Sequence, residues 1–159
     1  TMNQIYLNNN LLLIKVKKTP LIIRIVLFIF TFLFFLFPLA WIASLFIGKQ
    51  LTVMAIILTG IFLFSGVYLL RLTLWNTYGE EKIYINPTKL NYEVSYGWFK
   101  DRVREMETLN LDYYIKPHPS GEDIGVLAMR SGTTEIESVI PLKSILLEDL
   151  IINLKNLKS

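Results

Sequence analysis

The chain has 159 residues, of which 53% are hydrophobic and only 18% charged, against the roughly 25% charged residues of an ordinary globular domain. It holds no cysteine and one histidine, His118, which excludes disulfides, thiolate metal sites, cysteine nucleophiles and any multi-histidine metal centre. The net charge of +3 divides unevenly: residues 1–79 carry six basic side chains and no acid, and all thirteen Asp and Glu lie from Glu80 onward. Two physically different segments therefore meet near Trp75–Glu80. The basic excess belongs to the apolar half and is no argument for nucleic-acid binding.

In chain order, Ile5–Leu7, Asn8–Asn10 and Leu11–Val16 read as strand, turn and strand, an N-terminal β-hairpin within residues 1–18. Two bare strands are marginal alone in water, so this hairpin is expected to dock on the later sheet, leaving what lies between as an insertion in one domain. Thr1 ahead of Met2 reads as a remnant outside the fold.

Two apolar runs follow within residues 21–74, 21–47 and 51–74, with Arg24 and Arg71 as their only charges. About 20 apolar residues cross a bilayer core of ~30 Å, and an arginine near a helix end can reach the headgroups. The first run is too long for a cleaved signal peptide, lacks a small-residue cleavage site, and is followed at once by a second span. Gly48–Gln50 leaves room only for a turn. Lys15, Lys17, Lys18 and Arg24 at one entry, with Arg71 and Lys82 at the other exit, place both termini in the cytoplasm by the positive-inside rule. The expected location is the plasma (inner) membrane.

Six phenylalanines between Phe28 and Phe37 spread around the first helix and read as lipid-facing, and Pro38 predicts a kink. Trp75 and Tyr78 suit an interfacial aromatic belt. Ala40, Ser44 and Gly48 recur every four residues, and Thr52, Thr59, Gly66 and Thr73 every seven. Small residues let helices approach closely in lipid. The favoured reading is a seam within the hairpin; the other is that Gly66 and Thr73 meet a partner protein.

After Gly79 the period becomes two. Lys82–Ile85, Leu90–Tyr96, Trp98–Met106, Leu109–Ile115, Ile124–Arg130 and Thr134–Ile140 read as strands, with turns at Asn86–Pro87, Gly97 and Ser131–Gly132. From Pro141 the spacing of Leu142, Leu146, Leu150 and Leu154, with Ile145 and Leu157 on the same side, predicts an amphipathic helix.

Little here carries chemistry. His118 lies between prolines, with Ser120, Glu122 and Asp123 near it in sequence but nothing to mark a triad. Glu80–Glu81, Glu122–Asp123 and Glu148–Asp149 read as solvated pairs. Lys100, Arg102 and Arg104 alternate onto one strand face with Trp98 at its start, a candidate contact for anionic headgroups, although acidic neighbours dilute the charge.

The run Leu74-Trp75-Asn76-Thr77-Tyr78-Gly79-Glu80-Glu81-Lys82-Ile83-Tyr84-Ile85, followed by Leu90, Tyr92, Trp98-Phe99 and Leu109, resembles the entry into the sheet of bacterial pleckstrin-homology-like proteins with two membrane helices. The resemblance covers residues 74–157 and implies an antiparallel sheet or barrel of six to eight strands capped by a C-terminal helix, spanning residues 79–159. It implies membrane-tethered binding or scaffolding more than an activity. The chain is therefore expected to be a non-enzymatic binding protein without cofactor or metal, an accessory subunit of a larger membrane complex. Its expected partners are the bilayer and a protein or second copy, and not nucleic acid. An immunity protein that neutralises a toxin at the membrane, or an anionic-lipid sensor, are the alternatives.

Overall fold

The computed structural model describes residues 4–8, 10–48 and 52–156. The chain divides into two compact units, residues 17–78 and the remainder on both sides of them.

The first unit is a pair of helices, α1 (Leu21–Phe46) and α2 (Val53–Tyr78). Each has 26 residues, about 39 Å at 1.5 Å per residue, and each is long and apolar enough to cross a membrane. α2 runs four residues beyond the expected end at Leu74. No glycine or proline stops it before Gly79, and Asn76 and Thr77 donate back to the carbonyls of Leu72 and Thr73 at 2.8 Å. α1 continues through Pro38 to Phe46. Gly48 turns out of it with φ +82°; the rest of the expected turn, Lys49 and Gln50, lies outside the described residues.

The seam between the helices is narrower than the small-residue pattern implies. Thr31 and Thr73 join their hydroxyls at 3.1 Å, and each hydroxyl also reaches a carbonyl four residues back. Gly66 faces the Phe35 ring, where an added Cβ would stand 3.3 Å from Cζ. Phe37 stacks on Phe62 at 4.2 Å. Gly66 and Thr73 thus pack against α1 within the hairpin. Ala40, Gly48 and Thr52 are exposed, and Ser44 and Thr59 half-buried. On α1 the buried stripe runs through Thr31 and Pro38, seven apart, so four-residue spacing from Ala40 follows the wrong face.

The second unit begins with β1 (Ile5–Asn8) and β2 (Leu11–Lys15), resumes with β3 (Gly79–Ile85), β4 (Lys89–Tyr96), β5 (Phe99–Glu107), β6 (Asp112–Pro117), β7 (Ile124–Ser131), β8 (Thr134–Glu137) and β9 (Leu142–Lys143), and ends in α3 (Ser144–Asn156). Strands β1 to β5 form one antiparallel sheet in chain order; β6, β7 and β8 form another, with β9 also on β7. Residues 11–15 pair with 84–80, so the N-terminal hairpin extends the sheet that starts after α2. Both sheets are open; among the described residues seven strands, β3 to β9, follow α2, within the expected six to eight, and the N-terminal hairpin adds β1 and β2.

Leu12, Ile14, Ile83, Leu90 and Tyr92 of the first sheet and Leu127, Met129 and Ile136 of the second are buried. Gly125 is needed where β7 meets β6 and α3: a Cβ there would lie 2.5 Å from Ile115 Cγ2 and 3.4 Å from Leu147 Cδ1. α3 buries Leu147, Leu150 and Leu154 and exposes Ile145, Leu146 and Ile152. The expected stripe is corrected on two counts. Leu142 is a strand residue paired with Gly125, and the helix that begins at Ser144 turns Leu147, not Leu146, inward. Leu157 lies outside the described residues.

Candidate functional site

The most unusual group of the sheet unit is Glu81. Residues 79, 81 and 83 of β3 face inward, so Glu81 is 0% exposed, against its expected place in a solvated acidic pair. Its neighbours Glu80 and Lys82 face outward and pair at 3.0 Å. Glu81 Oε1 accepts the backbone N–H groups of Val139 at 2.7 Å and Ile140 at 2.5 Å. Those residues lie in the segment between β8 and β9, so one carboxyl ties the first sheet to the second. Burial pushes its pKa up to about 7, and the Ile140 and Val139 amides pull the other way. The Tyr92 hydroxyl is itself raised by burial and then by the Glu81 charge. Neither Glu81 Oε2 nor the Tyr92 hydroxyl has a hydrogen-bond partner among the described residues. A carboxyl in such surroundings changes protonation near neutrality, and its geometry is that of a cross-sheet clamp.

The basic strand does not hold one face. In the β4–β5 ladder Lys100 stands opposite Ser95 and Asp101 opposite Val94, but Arg104 stands opposite Tyr92, with a register shift between. The extra residue is a bulge. Arg102 adopts φ +50° there, and its N–H donates to Asp101 Oδ1 at 2.9 Å. Lys100 and Arg104 therefore lie on opposite faces of the sheet. Lys100 pairs with Glu93 at 3.3 Å, while no salt bridge joins Arg102 or Arg104 to an acid among the described residues. Trp98 sits in the turn before β5, 81% exposed.

A groove of about 520 Å³ runs between β1 and α3, lined by Ile5, Leu7, Leu146 and Leu150 with Gln4, Asp149 and Asn153. β1 is the end strand of its sheet. Sequence reasoning missed this feature because it depends on which helix face α3 leaves uncovered. A second hollow, of about 630 Å³, lies at the β3–β4 turn against residues 107–110, with Lys89 and Glu107 among its lining residues.

His118 accepts the Ser120 N–H on Nδ1 at 3.3 Å, a local loop contact. No group of three or more His, Asp and Glu that could hold a metal ion occurs among the described residues. The opposite sheet face carries an exposed ion-pair net in which Lys116 bonds Glu137 and Arg130 bonds Glu135 at 2.9 Å. Hydrogen bonds from Tyr114 and Arg130 hold the Glu135 carboxyl down at about 2.

The chain matches no protein-family model, no curated protein and no solved structure. Fold and site together define a class only: two apolar helices long enough to span a bilayer, joined to an antiparallel sheet unit with a C-terminal helix.

Proposed function

We propose that the chain is a non-catalytic membrane protein of the inner membrane, in which the helical pair anchors and the sheet unit binds a partner protein, as an accessory subunit of a larger complex. The bias of Lys15, Lys17, Lys18 and Arg24 supports cytoplasmic termini. Two long apolar helices followed by an antiparallel sheet unit with a C-terminal helix fit the general layout of the pleckstrin-homology-like reading, although both sheets are open.

The observation that carries the binding role is the β1–α3 groove. An end strand offers backbone groups to an added strand, and alternate side chains of that strand enter the pockets beside it. Here the walls are aliphatic, Ile145 and Ile152 extend the apolar surface along α3, and among the described residues Asp149 is the charged group lining the groove. The fitting occupant is an extended, apolar segment of a partner that carries a Lys or Arg.

The test is purification of the full-length chain in mild detergent, with mass spectrometry of what stays bound, for the wild type and Leu146→Asp. A stoichiometric partner lost on Leu146→Asp supports the reading. A lone monomer, or a partner indifferent to that change, contradicts it.

A further inference from the structure

The β4–β5 hairpin ends in a two-residue turn, Gly97–Trp98, with Gly97 at φ +77°. Glycine at the first turn position supplies the positive φ of a tight hairpin, and the turn carries Trp98 at its outermost point. Phe99 follows, 42% exposed, with Tyr96 behind it at 5.8 Å between ring centroids. A tryptophan with four fifths of its surface in the open, beside a half-open phenylalanine, is a costly display for water.

The ladder fixes which end of the sheet this is. Gly79, one peptide bond after the last residue of α2, stands opposite Tyr96. Val16 donates to the Gly79 carbonyl at 3.0 Å, and five residues later the chain enters α1 at Leu21. One cross-strand step and two residues along the strand place Trp98 within roughly 12 Å of the point where the chain leaves α2. This proximity follows from covalent continuity and the ladder alone. Behind the tip stand Lys100 and the bulge residue Arg102, whose positive φ interrupts the alternation of the strand. No salt bridge joins the Arg102 guanidinium to an acid among the described residues, its backbone N–H alone bonding Asp101.

We propose that this tip is a third membrane contact. Trp98 and Phe99 sit in the interfacial layer of the bilayer that holds α1 and α2, and Arg102 meets anionic headgroups behind them, with Lys100, which pairs with Glu93, beside it. Tryptophan is enriched at that depth because its ring is apolar and its N–H polar, and each basic side chain near an anionic surface adds attraction that salt weakens. The sheet unit is then held to the membrane independently of its chain connections. The inference rests on reading the helices as membrane spans and not on the groove.

The chain contains three tryptophans, Trp41, Trp75 and Trp98, so single-tryptophan full-length chains can separate the cases. W41F/W75F leaves Trp98, and W75F/W98F leaves Trp41 in α1. Both are reconstituted into phosphatidylcholine–phosphatidylglycerol vesicles containing lipids brominated near the headgroup or deep in the acyl chain. The expected result is a blue-shifted Trp98 emission, quenched most by the shallow bromines and shielded from aqueous acrylamide. The difference spectrum between wild type and Trp98→Ala gives the same readout with the helices unaltered. Water-like emission from Trp98 quenched by acrylamide, while bromine quenches Trp41, overturns the tip contact alone. Protection of Trp98 from both quenchers overturns it too, as a protein contact. If bromine quenches neither tryptophan, the membrane reading of the helices falls and the proposal with it.

Discussion

The helical pair and the sheet unit bury opposite kinds of side chain. In the sheet unit the inside is Leu12, Ile14, Ile83, Leu127 and Met129, all fully buried. In the helical pair most large apolar groups face outward, with Phe64 82% exposed, and beside Leu74 and the Phe37–Phe62 stack the seam is made by the small or polar Thr31, Thr73 and Gly66. Water drives apolar side chains inward, so the sheet unit has the arrangement of a domain folded in water. Helices in lipid gain nothing by hiding leucine and associate through small residues and interhelical hydrogen bonds. The helical pair thus has the arrangement of helices in lipid, and the sheet unit, residues 1–16 and 79–159, that of a domain in water.

The contrast can be broken by the same substitution on each side. Leu127→Ala, in the buried centre of β7, is expected to cost about 2–5 kcal/mol of sheet-unit stability, whereas Leu39→Ala on the outer face of α1 leaves the helical pair unchanged within error. Denaturant titration of the reconstituted protein, followed by signals from each unit, checks both. Equal losses would contradict the inverted packing.

Glu81 gives the next largest effect. Its folded pKa, about 7, exceeds the ordinary 4.5, so the folded state binds more protons between those values. Stability is full below about pH 4.5 and falls as pH rises toward 7, by about 3 kcal/mol if this group acts alone. Glu81→Gln keeps an oxygen for the Val139 and Ile140 amides and does not titrate. Its melting temperature is therefore expected to lack the decline that the wild type shows over this range. An identical slope in both proteins would assign the pH dependence elsewhere.

Within the helical pair, Gly66→Leu drives a side chain into the Phe35 ring and is expected to cost about 1–3 kcal/mol. Thr73→Val removes the bond to Thr31, worth about 0.6 kcal/mol on average for such pairs. Thermal unfolding in detergent ranks the two. The smallest effect belongs to Lys116→Ala, in the exposed ion-pair net, which leaves the melting temperature unmoved because water screens such pairs.

What could be read from the sequence was what depends on composition and local period. Span length rests on counting apolar residues, and the strands around Leu90–Tyr96 and Ile124–Arg130 show in strict alternation or a short buried run. What escaped depends on parity and on neighbours distant in the chain. Glu81 shares the inward parity of Ile83, a signal that was present but hidden by its acidic neighbour. The bulge at Arg102 had no such signal, since no glycine marks it and the Asp101 side chain that supports it looks like any surface acid. The inward face of α3 differed by one residue, Leu147 for Leu146, because the helix starts only after β9. The groove at β1 needed both chain ends placed together.

The inverted packing is tested most directly by accessibility, which the absence of native cysteine makes clean. Single cysteines would replace Leu39 on the outer face of α1, Ile47 at its end, and Ser120 in the β6–β7 loop, and whole cells would be treated with a membrane-impermeant maleimide before and after permeabilisation. The account predicts that Ile47→Cys reacts in intact cells, Ser120→Cys only after permeabilisation, and Leu39→Cys in neither case. Reaction of Leu39→Cys with the aqueous reagent, or of Ile47→Cys and Ser120→Cys from the same side, would contradict it.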